Sequence, residues 1–179
     1  MDSMALDATK NNYLCALCVG QDGAAIAFVD ITTGECSVSE IENDDYTTQI
    51  LNELVKYSPS EIIINLEGYE NTALVDAIKD KTRAVVRNFR DWAFDRKEAE
   101  DKLSKQFGEL EVIFPEDKPY SVRAVGALLG YLEETQKTEL KNITGIEIDR
   151  DAEMMQLDMY SLRNLEVLET MRDRNAKGS

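Results

Sequence analysis

Seven consecutive residues, Tyr13 to Val19 (Tyr-Leu-Cys-Ala-Leu-Cys-Val), are uncharged and apolar on both faces of any strand they form. Successive side chains of a strand point to opposite sides of its sheet, so such a run needs cover above and below. Ala24 to Ile31 is nearly as apolar, whereas Glu35 to Ile41 alternates polar residues with Cys36, Val38 and Ile41. Between them, Gln21-Asp22-Gly23 and Thr32-Thr33-Gly34 place Gly where a hairpin turn needs positive φ. The three strands are therefore expected as an antiparallel meander over about residues 12 to 42.

Helix and strand patterns then alternate. Asp44 or Asp45 is positioned to cap a helix whose Tyr46, Ile50, Leu51, Leu54 and Val55 form one stripe, ended by Ser58-Pro59. A strand Glu61 to Asn65 follows, then a short helix with Leu74, Ala77 and Ile78, and a strand Ala84 to Arg87. Next comes a helix from about Phe94 to Phe107 with Ala99, Leu103 and Phe107 inward. After the break at Pro115 to Pro119, a long helix from about Ser121 to Thr138 carries Val122, Val125, Leu129 and Leu132. Its Gly126 and Gly130, four residues apart, suggest close approach to the sheet or another helix, since each Gly costs about 1 kcal/mol against Ala in a helix. Residues 141 to 158 show no helical period and are expected as an extended connection, followed by a helix Ser161 to Arg172. A meander followed by right-handed βαβ crossovers gives an α/β fold of ribonuclease H-like type: a mixed five-stranded sheet with helices on both faces.

The chain has 179 residues, room for one domain of usual size plus a remnant. Its 20 Lys+Arg against 35 Asp+Glu give a net charge of −15, which repels phosphate backbones and anionic lipid. No apolar run approaches the roughly 20 residues that span a bilayer, and no basic and apolar leader opens the chain, so a cytoplasmic location is expected. With no His among its residues, catalytic triads built on His are excluded. Cys15 and Cys18 look like a CxxC pair, but three apart on a strand they face opposite ways and are expected as buried, inert thiols.

Ala124-Val125-Gly126-Ala127-Leu128-Leu129-Gly130-Tyr131, followed by Thr135-Gln136-Lys137, resembles the A-x-G-A-L-L-x-Y…T-Q-K stretch of bacterial MutS mismatch repair proteins. Asn11-Asn12-Tyr13-Leu14 is similar to the N-N-Y-L that opens the connector domain of that family. Met155-Gln156-Leu157-Asp158 with Arg163-Asn164-Leu165-Glu166 resembles the M-x-L-D…T-x-R-N-L-E that begins its next domain, with Ser161 where the family has Thr. The resemblance implies a connector domain over 10–140 and, over 141–179, a linker and the first helix of the lever or core domain. It implies a non-catalytic module that couples mismatch recognition to the ATPase region and offers a docking surface to MutL. ATP and Mg²⁺ would bind in a domain outside this stretch, which contains no G-x-x-x-x-G-K-[ST] and is expected to hold no cofactor or metal. Mismatched DNA would be contacted through the parent dimer.

For a docking face, the residues offer Glu98, Asp101, Lys102 and Lys105, turned away from the apolar stripe of the Phe94 to Phe107 helix. Phe107-Gly108-Glu109 and Phe114-Pro115-Glu116 mimic the family's Phe-x-Glu wedge, but both Phe residues are expected in the core. The alternative is a free-standing ribonuclease H-like, metal-dependent nuclease, whose carboxylates would have to come from Asp30, Glu53 and Glu67.

Overall fold

The computed structural model describes residues 12–135 and 143–148, and it builds the expected meander from β1 (Tyr13–Val19), β2 (Ala24–Asp30) and β3 (Cys36–Ile41). Helix α1 (Thr47–Tyr57), strand β4 (Glu61–Ile64), helices α2 (Leu66–Tyr69) and α3 (Thr72–Lys81) and strand β5 (Val85–Asn88) follow. A 3-10 turn over Asp91–Phe94 leads into α4 (Arg96–Phe107), the short α5 (Leu110–Ile113), the long α6 (Pro119–Thr135) and β6 (Glu147–Ile148).

The sheet runs β5-β4-β1-β2-β3-β6. Strands β1, β2 and β3 pair antiparallel, while β4 lies parallel to β1 and β5 parallel to β4. This is the mixed, ribonuclease H-like sheet that the turns and periods imply, with six strands instead of five. The sixth comes from the stretch expected as an extended connection, where Glu147 and Ile148 pair in parallel with Ser37 and Val38. Two residues are too few to show an alternation, so only their tertiary partners reveal them as a strand. Ile143, Ile146 and Ile148 are buried there, and the Gln106 side chain of α4 donates to the Ile143 carbonyl at 2.7 Å.

Because β1 is apolar on both faces, it separates two cores. Ala16 and Cys18 join Ala25, Ala27 and Val29 under α4 and α6, and the small side chains let α6 lie close across the sheet. On the other side Cys15, Leu17, Val19, Ile26 and Phe28 pack beneath Ile50, Leu54, Leu74 and Ile78 of α1 and α3. The two thiols of the CxxC string therefore occupy opposite faces, as expected. All three cysteines are free and buried; burial pushes the Cys18 and Cys36 thiols up to about 12 and the Cys15 thiol well above its ordinary value.

Several local expectations are corrected. Neither Asp44 nor Asp45 caps α1; Tyr46 precedes it without a side-chain cap, and the Asp45 N–H donates instead to Asn43 Oδ1 (2.8 Å) in a local turn. Val55 is 61% exposed, because the inward face of this helix consists of Ile50, Glu53 and Leu54. Gly34 has the positive φ its hairpin demands (84°), but Gly23 does not. A Cβ at Gly23 would sit 2.6 Å from the Ile41 carbonyl oxygen and 3.1 Å from the Tyr120 ring, so that glycine serves close approach. Phe94 belongs to the 3-10 turn, and α4 starts two residues later behind Asp95, whose carboxylate accepts from the Lys97 and Glu98 N–H groups at 3.1 and 3.3 Å. The helix expected at Ser161 to Arg172, and the family-like stretch beginning at Met155, lie outside the described residues.

Candidate functional site

Helix α4 is held from beneath and at both ends. Ala99, Leu103 and Phe107 are buried against α6, and the backbones meet so closely at Gly126 that a Cβ there would lie 2.4 Å from the Ala99 Cβ. Arg96 bridges to Glu100 (2.8 Å) and Asp117 (3.0 Å), fixing the first turn, while Gln106 ties the last turn to Ile143. What remains outward is the stripe Glu98, Asp101, Lys102 and Lys105, at the spacing that places side chains one above another on a helix. Glu98, Asp101 and Lys105 are exposed; Lys102 is half-buried and donates to Glu133 of α6. The four expected docking residues thus share a face, with one of them already engaged inside the domain.

Beside that stripe lies a groove of about 190 Å³ between α4, α6 and the 3-10 turn. Phe89, Trp92, Ala93 and Gly130 provide its apolar surfaces, and Glu98, Lys102, Glu133 and Glu134 surround them. Trp92 is 62% exposed. Arg90 reaches across to Glu134 and lies 5.5 Å over the Phe89 ring. Gly130 does not serve the close approach expected of it, since a Cβ there would meet nothing within 4 Å; it leaves space in the groove instead. Sequence reasoning missed this groove. The available signal was an aromatic residue standing among charges, Arg90-Asp91-Trp92, without an apolar period to bury it.

The three carboxylates of the nuclease alternative do not gather. Asp30 ends β2 opposite Tyr13, whereas Glu67 follows β4, whose Ile64 lies beside Leu17. Four residues of strand separate those levels by about 13 Å, against the roughly 4 Å between the metals of a two-metal site. Asp30 instead organises the turn to β3, where its Oδ1 accepts from Thr32 N–H (2.9 Å) and Asn12 N–H (3.3 Å). Glu53 faces inward on α1, close enough to Cys15 for its charge to add to the rise of that thiol. Among the described residues no three His, Cys, Asp or Glu side chains form a metal-sized cluster. Phe107 and Phe114 are 3% and 7% exposed, which keeps both Phe-x-Glu strings from presenting an intercalating ring.

Another polar side chain holds the strand ends together. Asn65, 2% exposed after β4, accepts from Val19 N–H and donates to the Val19 carbonyl, both at 3.0 Å, so its amide extends the β1–β4 ladder. Its Oδ1 also accepts from Gly68 N–H and caps α2. Just beyond the same end of β1, Tyr120 covers Gly20 and Gly23 and donates to Asp22 at 2.6 Å, while the N–H of Ser121 donates to the buried Glu40 carboxylate at 2.7 Å. Together these bonds fix the start of α6 to the meander, and α6 in turn carries α4. No helix among the described residues is long and apolar enough to cross a membrane.

Comparison with known proteins gives consistent matches. The family profile described as MutS domain II matches residues 12–144. A DNA mismatch repair protein MutS of Lachnoclostridium phytofermentans is 36% identical over 181 residues, covering 100% of this chain and 19% of that protein. The protein of the same description from Caldanaerobacter subterraneus subsp. tengcongensis is 38% identical over 98% of this chain and 20% of its own length. That of Acetivibrio thermocellus is 36% identical over 99% and 20%. The chain spans about a fifth of the length of the curated relatives it matches.

Proposed function

The chain belongs to the MutS family of DNA mismatch repair proteins, in which it corresponds to domain II, and on that premise we propose that it works as a non-catalytic connector carrying a docking face for MutL. The observation that carries this reading is the outer stripe of α4, a row of mixed charges on a helix that is locked to α6 and through it to β1 and β2. A domain without reacting groups can couple distant sites only through packed interfaces with two arrangements, and a rigid body of this kind transmits displacement without absorbing it. Its neighbours are other domains of the same parent chain; MutL meets the α4 face from outside. ATP and Mg²⁺ act in the parent's ATPase region, mismatched DNA is held through the parent dimer, and the whole assembly is cytoplasmic.

Reversing both lysines of the stripe, Lys102→Glu with Lys105→Glu, tests the docking face. Two charges at the rim of an interface are worth on the order of 1 kcal/mol, so affinity for the MutL ATPase domain from the same source should fall about fivefold. Circular dichroism melting would show that the fold persists. Unchanged affinity in the doubly reversed, folded protein would remove MutL from this face.

A further inference from the structure

We propose that the groove between α4, α6 and the 3-10 turn receives an arginine side chain carried on a basic segment of a protein partner. This goes beyond the connector reading: the groove shares Glu98 and Lys102 with the proposed MutL face, but the inference rests on the groove's own geometry, and its test uses no MutL. Size is the first reason: about 190 Å³ is below the roughly 300 Å³ at which small-molecule pockets begin, and suits a single inserted side chain. Charge is the second. Of the three acids that line the groove, Glu133 is paired with Lys102 and Glu134 with Arg90, which leaves the Glu98 carboxylate to meet an incoming cation, and the whole chain carries −15, which favours the approach of cations.

The third reason is that the groove already displays the required chemistry in its own walls. Arg90 lies over the Phe89 ring and bonds Glu134, pairing an aromatic face and a carboxylate around one guanidinium. Trp92 and Glu98 offer the same two components without an internal occupant: the indole is 62% exposed, and Glu98 makes no ion pair among the described residues. A planar guanidinium stacks on indole and bonds a carboxylate bidentately, whereas a lysine ammonium does only the second and only as a point charge. Gly130 leaves the floor open for the aliphatic stem.

Trp92 is the only tryptophan of the chain, so its emission reports this groove alone. The 179-residue protein would be titrated at low salt with the blocked peptides Ac-GRRG-NH2, Ac-GKKG-NH2 and Ac-GEEG-NH2. The arginine peptide should give a saturable emission change, the lysine peptide a several-fold weaker one and the glutamate peptide none. Glu98→Gln should weaken the arginine peptide about fivefold, the upper range for an exposed charge pair. Gly130→Leu, whose Cβ would meet nothing within 4 Å and whose side chain would occupy the floor, should abolish the response while the protein still melts cooperatively. A missing or non-saturable response to the arginine peptide, an equal response to the glutamate peptide, or full binding by both variants would overturn the proposal.

Discussion

Adding one methyl group at Gly126 and one at Gly130, four residues along the same helix, should move stability in opposite directions. At Gly126 the new Cβ would sit 2.4 Å from the Ala99 Cβ and 2.5 Å from the Ala99 Cα, and the second of these is backbone that no rotamer change can remove. Ordinary carbon contacts lie at about 3.5–4.0 Å, so α4 and α6 would have to part by roughly 1 Å. Overpacking of this kind costs about 1–3 kcal/mol, and separating the helices adds lost contact around Leu103 and Val125. Replacing Gly by Ala inside a helix returns about 1 kcal/mol. Gly126→Ala should therefore be destabilised, by up to about 2 kcal/mol net. At Gly130 nothing lies within 4 Å of the added carbon, so Gly130→Ala keeps only the backbone gain, up to about 1 kcal/mol. For a chain of this size each kcal/mol moves Tm by about 2–4 °C. Urea unfolding followed by far-ultraviolet circular dichroism and by Trp92 emission, with an unchanged m-value, measures both. If the two substitutions shifted stability in the same direction by the same amount, the close contact of α4 with α6 at Gly126 would be wrong.

Asn65→Ala leaves the buried N–H and carbonyl of Val19 without partners, so it should cost about 2–4 kcal/mol in the same assay, with Asn65→Asp, which keeps the acceptor and loses the donor, also destabilising. Burial holds the Glu40 carboxyl above its ordinary value of 4.5, so the folded state keeps a proton that the unfolded chain has released. Its contribution to stability therefore falls as pH rises from 4.5 through the raised value, and Glu40→Gln should flatten that part of the profile; parallel curves for the two proteins would count against it. The native protein should react slowly with Ellman's reagent, because Cys15, Cys18 and Cys36 are buried and burial disfavours their thiolates, and should release three equivalents on unfolding; a fast native equivalent would mean that one of the strand faces opens.

The parts of the fold that were legible beforehand are those in which one local pattern decides the outcome. The unbroken apolar run of β1 demanded cover on both faces, and α4 and α6 supply one layer while α1 and α3 supply the other. The spacing of Ala99, Leu103 and Phe107 likewise oriented α4, which is why Glu98, Asp101 and Lys105 are outward as expected. Long-range packing decides the rest. Gly23 looked like a turn glycine, yet its constraint comes from Ile41 and Tyr120, the latter almost a hundred positions along. The identical residues Gly126 and Gly130 differ only in whether Ala99 stands opposite. For β6, two residues pair with β3 because Ile143 and Ile146 already have places in the core, and no alternation announces it. The groove brings Trp92 to Glu133 and Glu134 across some forty residues, so a linear reading could flag the odd tryptophan but not its acidic neighbours.

We propose that this domain acts through a protein surface on α4 and not through contact with DNA. An NMR titration of the isotopically labelled chain with the MutL ATPase domain, with mismatched duplex DNA as the parallel titrant, addresses it directly. Shifts localised to the face bearing Glu98, Asp101, Lys102 and Lys105 are expected on adding MutL, and none on adding DNA. Shifts with DNA alone, or MutL shifts confined to the α1 and α3 side of the sheet, would contradict it.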